Sequence, residues 1–593
     1  MDIHINGKKC KAVQGETILE VAGKNGIRIP TLCYHSDLCL AGNCRICVVD
    51  VDGARTLQTA CTAMASNGMK IWTNTPRVIK ARKMNIQLLL GSHFGECYTC
   101  PRNNNCELLK LAEEYGIEEL PFPKKGKRTR ELEITPSLTR DPDKCIMCGR
   151  CVRTCEELQG VHAVKPVGRS NDVHIDTFFG QGLMHTSCTM CGQCINRCPT
   201  GALYETSCVQ PVWDALADPD KYVVVQTAPA VRAALGEEFG MEPGTRVTGQ
   251  MVAGLRKLGF NKVFDTQFTA DLTIMEEGTE FITRLKRTLV DKEKGLLPMT
   301  TSCSPGWIKY IEHFYPDLLT HVSTCKSPQQ MFGPLAKTYF AEKEGINPSK
   351  MITVSIMPCV AKKYEAERPE MNASGYKDVD YVLTTRELAK MMKMAGLDLK
   401  DMPIEEYDNP FGISTGAAVI FGATGGVMEA ALRTVYEIVT GREVPFKNLE
   451  ITPVRGMEDV KEAGITIEGV KEEYKFLEGA KVKVAVAHSL SAAKKVMDKV
   501  RSGEAEYHFI EIMACPGGCL GGGGQPVPTS PEIRKARARA IYQEDEAMTI
   551  RKSHENPAIK KLYEDFLEKP NSHKAHELLH THYLKRKRFD KVK

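Results

Sequence analysis

No run of about 18 apolar residues occurs in the 593-residue chain, so the sequence offers no membrane-spanning helix. Its start, Met1-Asp-Ile-His-Ile-Asn-Gly, lacks the apolar core of a secretory leader. These two absences lead to the expectation of a cytoplasmic protein with no membrane span. An excess of one charge is missing as well. Seventy-nine Lys and Arg stand against 74 Asp and Glu, a net +5, too little over this length to imply a nucleic-acid partner. The basic run from residue 124 to 130 and the tail Lys585-Arg-Lys-Arg588 accordingly read as solvated surface. A dinucleotide fingerprint is absent too. The run Gly521–Gly524 follows a cysteine motif and does not open a helix after a strand.

Cysteine is abundant. There are 23, an odd number, in a chain without a secretion signal. That argues against a disulfide framework and for metal sites in a reducing compartment. A chain this long with 42% hydrophobic residues should form roughly three to five domains.

In residues 1–78, apolar residues flank Asn6-Gly7, a hairpin turn signal, and Thr17–Gly26 reads as a helix. Cys33, Cys44, Cys47 and Cys61 follow. A tight Cys-x2-Cys pair with one cysteine before and one after fits a [2Fe-2S] cluster. The stretch resembles the β-grasp ferredoxin module of hydrogenases and of the largest iron–sulfur subunit of complex I. Cys10 and Cys39 fall outside the pattern and read as packed thiols. Residues 79–120 carry His93-x3-Cys97-x2-Cys100-x5-Cys106, a set that suits zinc or a [4Fe-4S] cluster with one imidazole ligand. The spacing resembles the second of these in the same proteins. Residues 121–137 read as a linker.

Residues 136–210 hold two near-repeats, Cys145-x2-Cys148-x2-Cys151-x3-Cys155 and Cys188-x2-Cys191-x2-Cys194-x3-Cys198-Pro199. This is the bacterial two-cluster ferredoxin pattern, in which the fourth cysteine of each run serves the other cluster. Cys145, Cys148, Cys151 and Cys198 would hold one [4Fe-4S], and Cys188, Cys191, Cys194 and Cys155 the other. Cys208 has no role. From about 220 cysteines thin out, and β-runs such as 222–226 and 482–487 alternate with helical stretches such as 247–258 and 386–394. That alternation predicts α/β layers over 220–530. The segment 531–593 reads as helical.

Three segments in this last part carry the chemistry: Thr301-Ser-Cys303-Ser304-Pro-Gly-Trp307, Met357-Pro-Cys359-Val-Ala-Lys362 and Glu511-Ile-Met513-Ala-Cys515-Pro-Gly-Gly-Cys519-Leu-Gly-Gly-Gly-Gly. Thiolates are soft ligands, and glycine lets backbone approach closely. Together they resemble the three signature motifs of the [FeFe]-hydrogenases, and the resemblance runs along essentially the whole chain. It implies a multidomain α+β and α/β protein: a β-grasp ferredoxin, a module with one histidine and three cysteine ligands, a two-cluster ferredoxin, and a two-lobed catalytic domain. That domain would hold the H-cluster, a [4Fe-4S] cube joined to a two-iron unit carrying CO and cyanide. One [2Fe-2S] and three accessory [4Fe-4S] clusters would feed it electrons.

The resemblance also implies roles for residues. Cys359, Cys515 and Cys519 ligate the cube, with Cys519 bridging. Cys303 relays protons, and Ser304 stands where the family has a ligating cysteine. Ser304 could bind through oxygen, it could exchange roles with Cys303, or the fourth iron could take water or a nearby group such as Cys325. The proton path would run Cys303, Glu277, Ser323, Glu280, Arg284. Read from the sequence alone, Glu280 and Arg284 are simply four apart on a helix face. Lys362 would bind one cyanide, with Ala228, Pro229 and Ala230 near the other, and Gln329, Met357, Phe421 and Met513 would line the pocket. Implied partners are a flavin- and NAD(P)-binding diaphorase-type subunit, a small 2Fe-2S subunit, ferredoxin and maturation proteins. The implied function is reversible reduction of protons to H2, as the catalytic subunit of an NAD(P)-linked or electron-bifurcating hydrogenase; a stand-alone ferredoxin-dependent hydrogenase, a hydrogen sensor and an electron-transfer scaffold are the competing readings. A sensor of this type tends to lack the relay thiol, and a scaffold has no need of the three terminal motifs.

Overall fold

The computed structural model describes residues 1–123, 126, 128–445, 452–454 and 457–588. The chain divides into two compact units. One comprises Met1–Glu157, His162–Gly182 and Arg197–Tyr204; the other comprises Leu158–Val161, Leu183–Asn196 and Glu205–Lys593.

The first unit opens with strands Asp2–Ile5 and Lys8–Lys11, paired antiparallel. Asn6 and Gly7 both take positive φ, the conformation a two-residue hairpin turn requires. Helix Ile18–Lys24 follows, its end closed by a capping box between Thr17 and Glu20. Five strands form one mixed sheet, and Ile3, Ile5, Ile18, Val21 and Ile71 bury their side chains in its core. Helix Pro76–Ser92 ends at His93. Arg82 on this helix is buried and donates to the Val48 carbonyl at 2.8 Å, which ties the helix to the sheet.

One expectation needs correcting in this unit. Cys39 is exposed, with its thiol 2.8 Å from Glu157, so it is not packed; Cys10 is buried. Lys124, Lys125 and Lys127 of the basic run lie outside the described residues. Arg128 and Arg130 pair with Asp141 and Asp172, each at 3.0 Å. The end of the stretch read as a linker is likewise tied down, because the Asp143 carboxylate accepts from the backbone of Thr129 and Arg130.

The second unit is built on two sheets. In one, strands Lys262–Asp265, Tyr222–Thr227, Met351–Met357 and Tyr381–Thr384 are all parallel. In the other, Met299–Thr300, Phe509–Met513 and Lys481–His488 run parallel, and Met457–Thr466 and Thr452–Val454 are added antiparallel. Helices Thr248–Leu258 and Thr385–Met394 pack on the first sheet's core. The predicted α/β layering is therefore present. Strands buried on both faces read as continuous apolar runs, as residues 222–225 do.

The 24-residue helix Thr266–Leu289 is buried on nearly every side. Asp265 caps it by accepting from the Gln267 N–H at 3.0 Å, while its carboxylate pairs with buried Arg232 at 2.9 Å. A helix so enclosed is normally apolar all round. This one carries Glu276, Glu277 and Glu280 in its buried part, and burying such groups is costly unless each finds partners. The tail is helical, with Pro531–Ala547, Pro557–Leu562 and His573–Leu579. Its basic end is not simply solvated, because half-buried Arg586 pairs with buried Glu312 at 2.6 Å.

Candidate iron–sulfur and proton-transfer sites

In parallel α/β sheets, sites form beyond the carboxyl ends of the strands. Here four strands deliver their functional segments there. Tyr222–Thr227 runs into Ala228-Pro229, Met299–Thr300 into Cys303-Ser304, Met351–Met357 into Pro358-Cys359, and Phe509–Met513 into Ala514-Cys515. All these residues line one cavity of about 850 Å³ in the second unit, together with Cys519, Lys362, Gln329, Met357, Phe421, Met513 and Cys191. Ala230 is buried beside the cavity and not on its wall. Its carbonyl accepts from Gln525 Nε2 at 3.1 Å.

The glycine run does something more specific than sparing room for a ligand. A Cβ on Gly522 would sit 2.1 Å from the Pro358 carbonyl oxygen, and one on Gly523 2.6 Å from that of Cys191. The run therefore packs backbone on backbone and locks the third motif against the second. Gln193 and Asn196 donate to the carbonyls of Gly521 and Gly522 at 2.9 and 2.8 Å. Arg386, buried, donates to the Gly523 carbonyl at 2.8 Å and to that of Gln525.

Cys303 and Ser304 both reach the cavity. Ser304 precedes helix Pro305–Phe314 but makes no side-chain cap; its hydroxyl accepts from the Ala514 N–H at 3.3 Å. Cys325 does not line the cavity. Its thiol faces Glu280 and His580, which removes it as a substitute fourth ligand. Lys362 donates to the Cys303 carbonyl at 3.1 Å and to Glu365 at 2.8 Å, leaving a third N–H for the cavity. Glu365 also accepts from Ser327 and Gln329. Glu365 was not foreseen, although its place three residues after Lys362 was a signal. Glu511, also unforeseen, accepts from the N–H groups of Gly425 and Met428, each at 2.7 Å, and burial pushes its carboxyl up to about 7.

From the cavity a file of titratable groups runs outward. Burial pushes the Cys303 thiol well above its ordinary value; Glu277 adds to the effect and Lys362 opposes it. Glu277 is 3% exposed, and its Oε1 has no hydrogen-bond partner among the described residues. Burial raises it to about 8, with Glu280 adding to the rise and the Ser323 hydroxyl opposing it. Ser323 Oγ donates to Glu280 Oε2 at 2.8 Å. Glu280 Oε1 receives Arg284 at 2.7 Å, and Arg284 also donates to the carbonyls of Thr320 and Val322. The Glu280–Arg284 pair is buried, not a solvated surface bridge.

In the first unit, Cys47 Sγ and Cys61 Sγ lie 3.3 Å apart, and the thiols of Cys33, Cys44 and Cys61 interact directly. No cysteine of the chain is in a disulfide. Four converging thiols suit iron. His93, Cys97, Cys100 and Cys106 line a second cavity. His93 Nδ1 meets the Lys144 carbonyl at 3.0 Å, which orients Nε2 as the lone-pair nitrogen. At Gly201 a Cβ would lie 2.4 Å from Cys100 Sγ, so the sulfur occupies space only glycine leaves. Cys145, Cys148 and Cys198 sense one another's charge. Both ferredoxin runs bend alike, with positive φ at Met147 and Gly149 in one and at Met190 and Gly192 in the other. Cys155 Sγ accepts from the Ala163 N–H at 3.2 Å.

Thiol sets of these kinds, on these folds, define an iron–sulfur redox protein. Comparison with known proteins is specific. Residues 221–523 match the family "iron only hydrogenase large subunit, C-terminal domain", and residues 531–586 match "iron hydrogenase small subunit". Residues 1–76 match a 2Fe-2S iron–sulfur cluster binding domain. Residues 82–121 match the NADH-ubiquinone oxidoreductase-G iron–sulfur binding region, and 135–204 the ferredoxin-like domain of NADH-quinone oxidoreductase subunit 3. The chain is 48% identical to NADP-reducing hydrogenase subunit HndD of Solidesulfovibrio fructosivorans, covering 99% of both chains. It is 42% identical to iron hydrogenase 1 of Clostridium pasteurianum over 98% of this chain and 100% of that one. A solved structure of the [FeFe]-hydrogenase HydA(deltaEFG) aligns with a TM-score of 0.58 at 47% identity, covering 64% of this chain and 99% of that one. The chain belongs to the iron-only, or [FeFe], hydrogenases: it is an oxidoreductase acting on H2, with 2Fe-2S and 4Fe-4S binding domains ahead of an H-cluster domain. No helix among the described residues is long and apolar enough to cross a membrane.

Proposed function

We propose that this chain is the catalytic subunit of a cytoplasmic, NAD(P)-linked or electron-bifurcating hydrogenase, in which protons and electrons reach the 850 Å³ cavity by separate routes. Its working parts are a 2Fe-2S domain (1–78), a domain with one histidine and three cysteine ligands (79–120), a two-cluster ferredoxin domain (136–210), the catalytic domain (220–530) and its helical C-terminal segment (531–593). Cys33, Cys44, Cys47 and Cys61 hold the [2Fe-2S]; His93, Cys97, Cys100 and Cys106 hold a [4Fe-4S]. Cys145, Cys148, Cys151 and Cys198 hold the next cluster, and Cys188, Cys191, Cys194 and Cys155 the last. Cys191 lies on the cavity wall itself, which supports this last cluster as the electron donor. Cys359, Cys515, Cys519 and Ser304 face the cubane position.

The two-iron unit, when bound, supplies the centre at which H2 is made or split. The protein's part is to bring the proton there. Arg284 holds Glu280 in place by two charge-assisted hydrogen bonds, from Nε and Nη2, to the single oxygen Oε1. Ser323 passes the proton between Glu280 and Glu277. Glu277, buried and held protonated near neutrality, passes it to Cys303 at the cavity wall. Lys362 directs its remaining N–H at an anionic ligand, and the methionines and Phe421 keep water out.

The observation that carries this reading is the file itself: four buried side chains behind the cavity thiol, with Ser323, Glu280 and Arg284 joined by hydrogen bonds and Glu277 electrostatically coupled to Cys303, Ser323 and Glu280, where a stability role would be better served by apolar residues. Support for the multi-subunit assignment is the similarity along its full length to HndD, a subunit of an NADP-reducing hydrogenase. With no dinucleotide fingerprint here, flavin and nicotinamide belong to a diaphorase-type partner, alongside a small 2Fe-2S subunit and ferredoxin.

The test is a pair of substitutions. Cys303→Ala stops turnover while the cubane's spectra persist. Ser304→Cys keeps turnover and shifts the cubane's signature, because oxygen is a harder ligand than thiolate. Loss of the cubane in Cys303→Ala would make Cys303 the ligand and reverse the two roles.

A further inference from the structure

Beside the proton file, three side chains with affinity for soft divalent metals face one another. Cys325 Sγ lies 3.8 Å from Glu280 Oε2 and 4.0 Å from His580 Nδ1. One ligand atom from each of the three residues lies within 4.8 Å of the others, and all three residues are buried. Thiolate, imidazole and carboxylate together make a zinc-type donor set. Tetrahedral bonds of about 2.0–2.3 Å place donor atoms between about 3 and 4 Å apart, so the two separations from Cys325 Sγ, 3.8 and 4.0 Å, need to close by less than about 1 Å.

A second observation bears on His580 from its other side. Its Nε2 meets Glu276 Oε2 at 3.1 Å. Glu276 is fixed in turn by the Tyr563 hydroxyl at 2.5 Å and the Asn571 N–H at 2.8 Å. A carboxylate that holds one ring nitrogen fixes the tautomer and leaves the opposite nitrogen as a ligand, the usual support of a metal-bound histidine. Nδ1, the nitrogen left over, is the one directed at Cys325 and at the Thr324 hydroxyl, 2.8 Å away. Glu280 divides its two oxygens in a compatible way. Oε1 is taken by Arg284, while Oε2 is the atom nearest Cys325.

We propose that Glu280, Cys325 and His580, backed by Glu276, form a binding site for zinc or a similarly soft divalent cation, with water in the fourth position. On binding, the Cys325 thiol proton is displaced to solvent, His580 enters neutral through Nδ1 and Glu280 as the carboxylate. No group is oxidised or reduced. The ion takes the oxygen to which Ser323 donates at 2.8 Å, so the file is cut between Ser323 and Glu280. This consequence, inhibition of turnover, rests on the proton route proposed above; the site itself does not.

The experiment adds one equivalent of zinc to the cluster-loaded full chain and reads zinc K-edge absorption, zinc affinity and H2 evolution on the same samples. The expected spectrum has one sulfur at about 2.3 Å with nitrogen and oxygen at about 2.0–2.1 Å, and the iron content is unchanged. Cys325→Ser loses the sulfur shell. Glu276→Gln keeps all three ligands and weakens zinc binding by about ten- to a hundredfold. An unchanged sulfur shell and affinity in Cys325→Ser would overturn the site, since the zinc would then sit on cluster cysteines. Unchanged affinity in Glu276→Gln would overturn the supporting role of Glu276. Zinc bound as expected with turnover undiminished would uphold the site and remove Glu280 from the proton route.

Discussion

Replacing Glu277 by glutamine removes one proton from the file with almost no change of shape, and the structure sets the size of the effect. Burial, with Glu280 close by, moves this carboxyl from its ordinary 4.5 to about 8. A carboxyl raised on folding stabilises the native state fully below pH 4.5 and loses that contribution as pH climbs to about 8. At about 1.4 kcal/mol for each unit of pKa, on the order of 5 kcal/mol is withdrawn across the window, about 3 kcal/mol of it by pH 7. A glutamine has no proton to lose. The Glu277→Gln variant is therefore expected to lag or equal the wild type in Tm at pH 5 and to gain on it steadily up to pH 8, after which the gap stays constant. Turnover moves the opposite way, falling by about 10²- to 10⁴-fold because an amide cannot relay a proton. The direct assay is infrared: a protonated-carboxyl band that is lost in Glu277→Gln and titrates in the wild type with a midpoint near 8. Parallel Tm profiles, or a Glu277 band titrating in the ordinary carboxylate range, would refute both the buried neutral acid and its place in the route.

Other perturbations separate the parts of the account. Lys362→Met leaves the accessory clusters intact but removes the donor lodged between Cys303 and Glu365; metal-bound cyanide bands should weaken or shift, and unchanged bands would return Lys362 to a structural role. Breaking the buried Lys326–Asp378 pair, 2.6 Å apart, by Lys326→Met should cost about 3–5 kcal/mol, read as lost Tm with turnover per folded molecule preserved. If His93 ligates a cluster with Cys97, Cys100 and Cys106, whose side chains line the same cavity, His93→Cys adds a thiolate charge and should lower that cluster's reduction potential, seen by redox-titrated electron paramagnetic resonance; an unmoved potential would show that His93 is not a ligand.

The sequence made the cysteine sets legible because ligand spacing is a local property. The pairs Cys44/Cys47, Cys145/Cys148 and Cys515/Cys519 each lie within one turn of chain. Strand and helix periods in the second unit were legible for the same reason. What stayed hidden depends on contacts between residues far apart in the chain. Arg386 clamps the glycine run from 137 positions away, and Gln525 reaches Ala230 across 295. His580 meets Cys325 across 255 positions, so the sequence left that cysteine as a conceivable cluster ligand when its thiol faces the proton file. The glycine run signals close backbone approach, but the sequence does not say to what; its tight contacts fall on the Pro358 and Cys191 carbonyls, brought in from other motifs.

The central claim is that the 850 Å³ cavity lined by Cys303, Ser304, Cys359, Lys362, Cys515 and Cys519 holds a two-iron unit with CO and cyanide beside a cubane. The infrared spectrum of the chain, produced with and without maturation proteins, tests it most directly. Matured protein should show metal-bound CO and cyanide bands, about 20 iron atoms per chain and H2 turnover. Unmatured protein should keep the accessory clusters and show neither the bands nor turnover. Matured protein with its accessory clusters in place but no such bands, or high turnover without maturation, would contradict the claim.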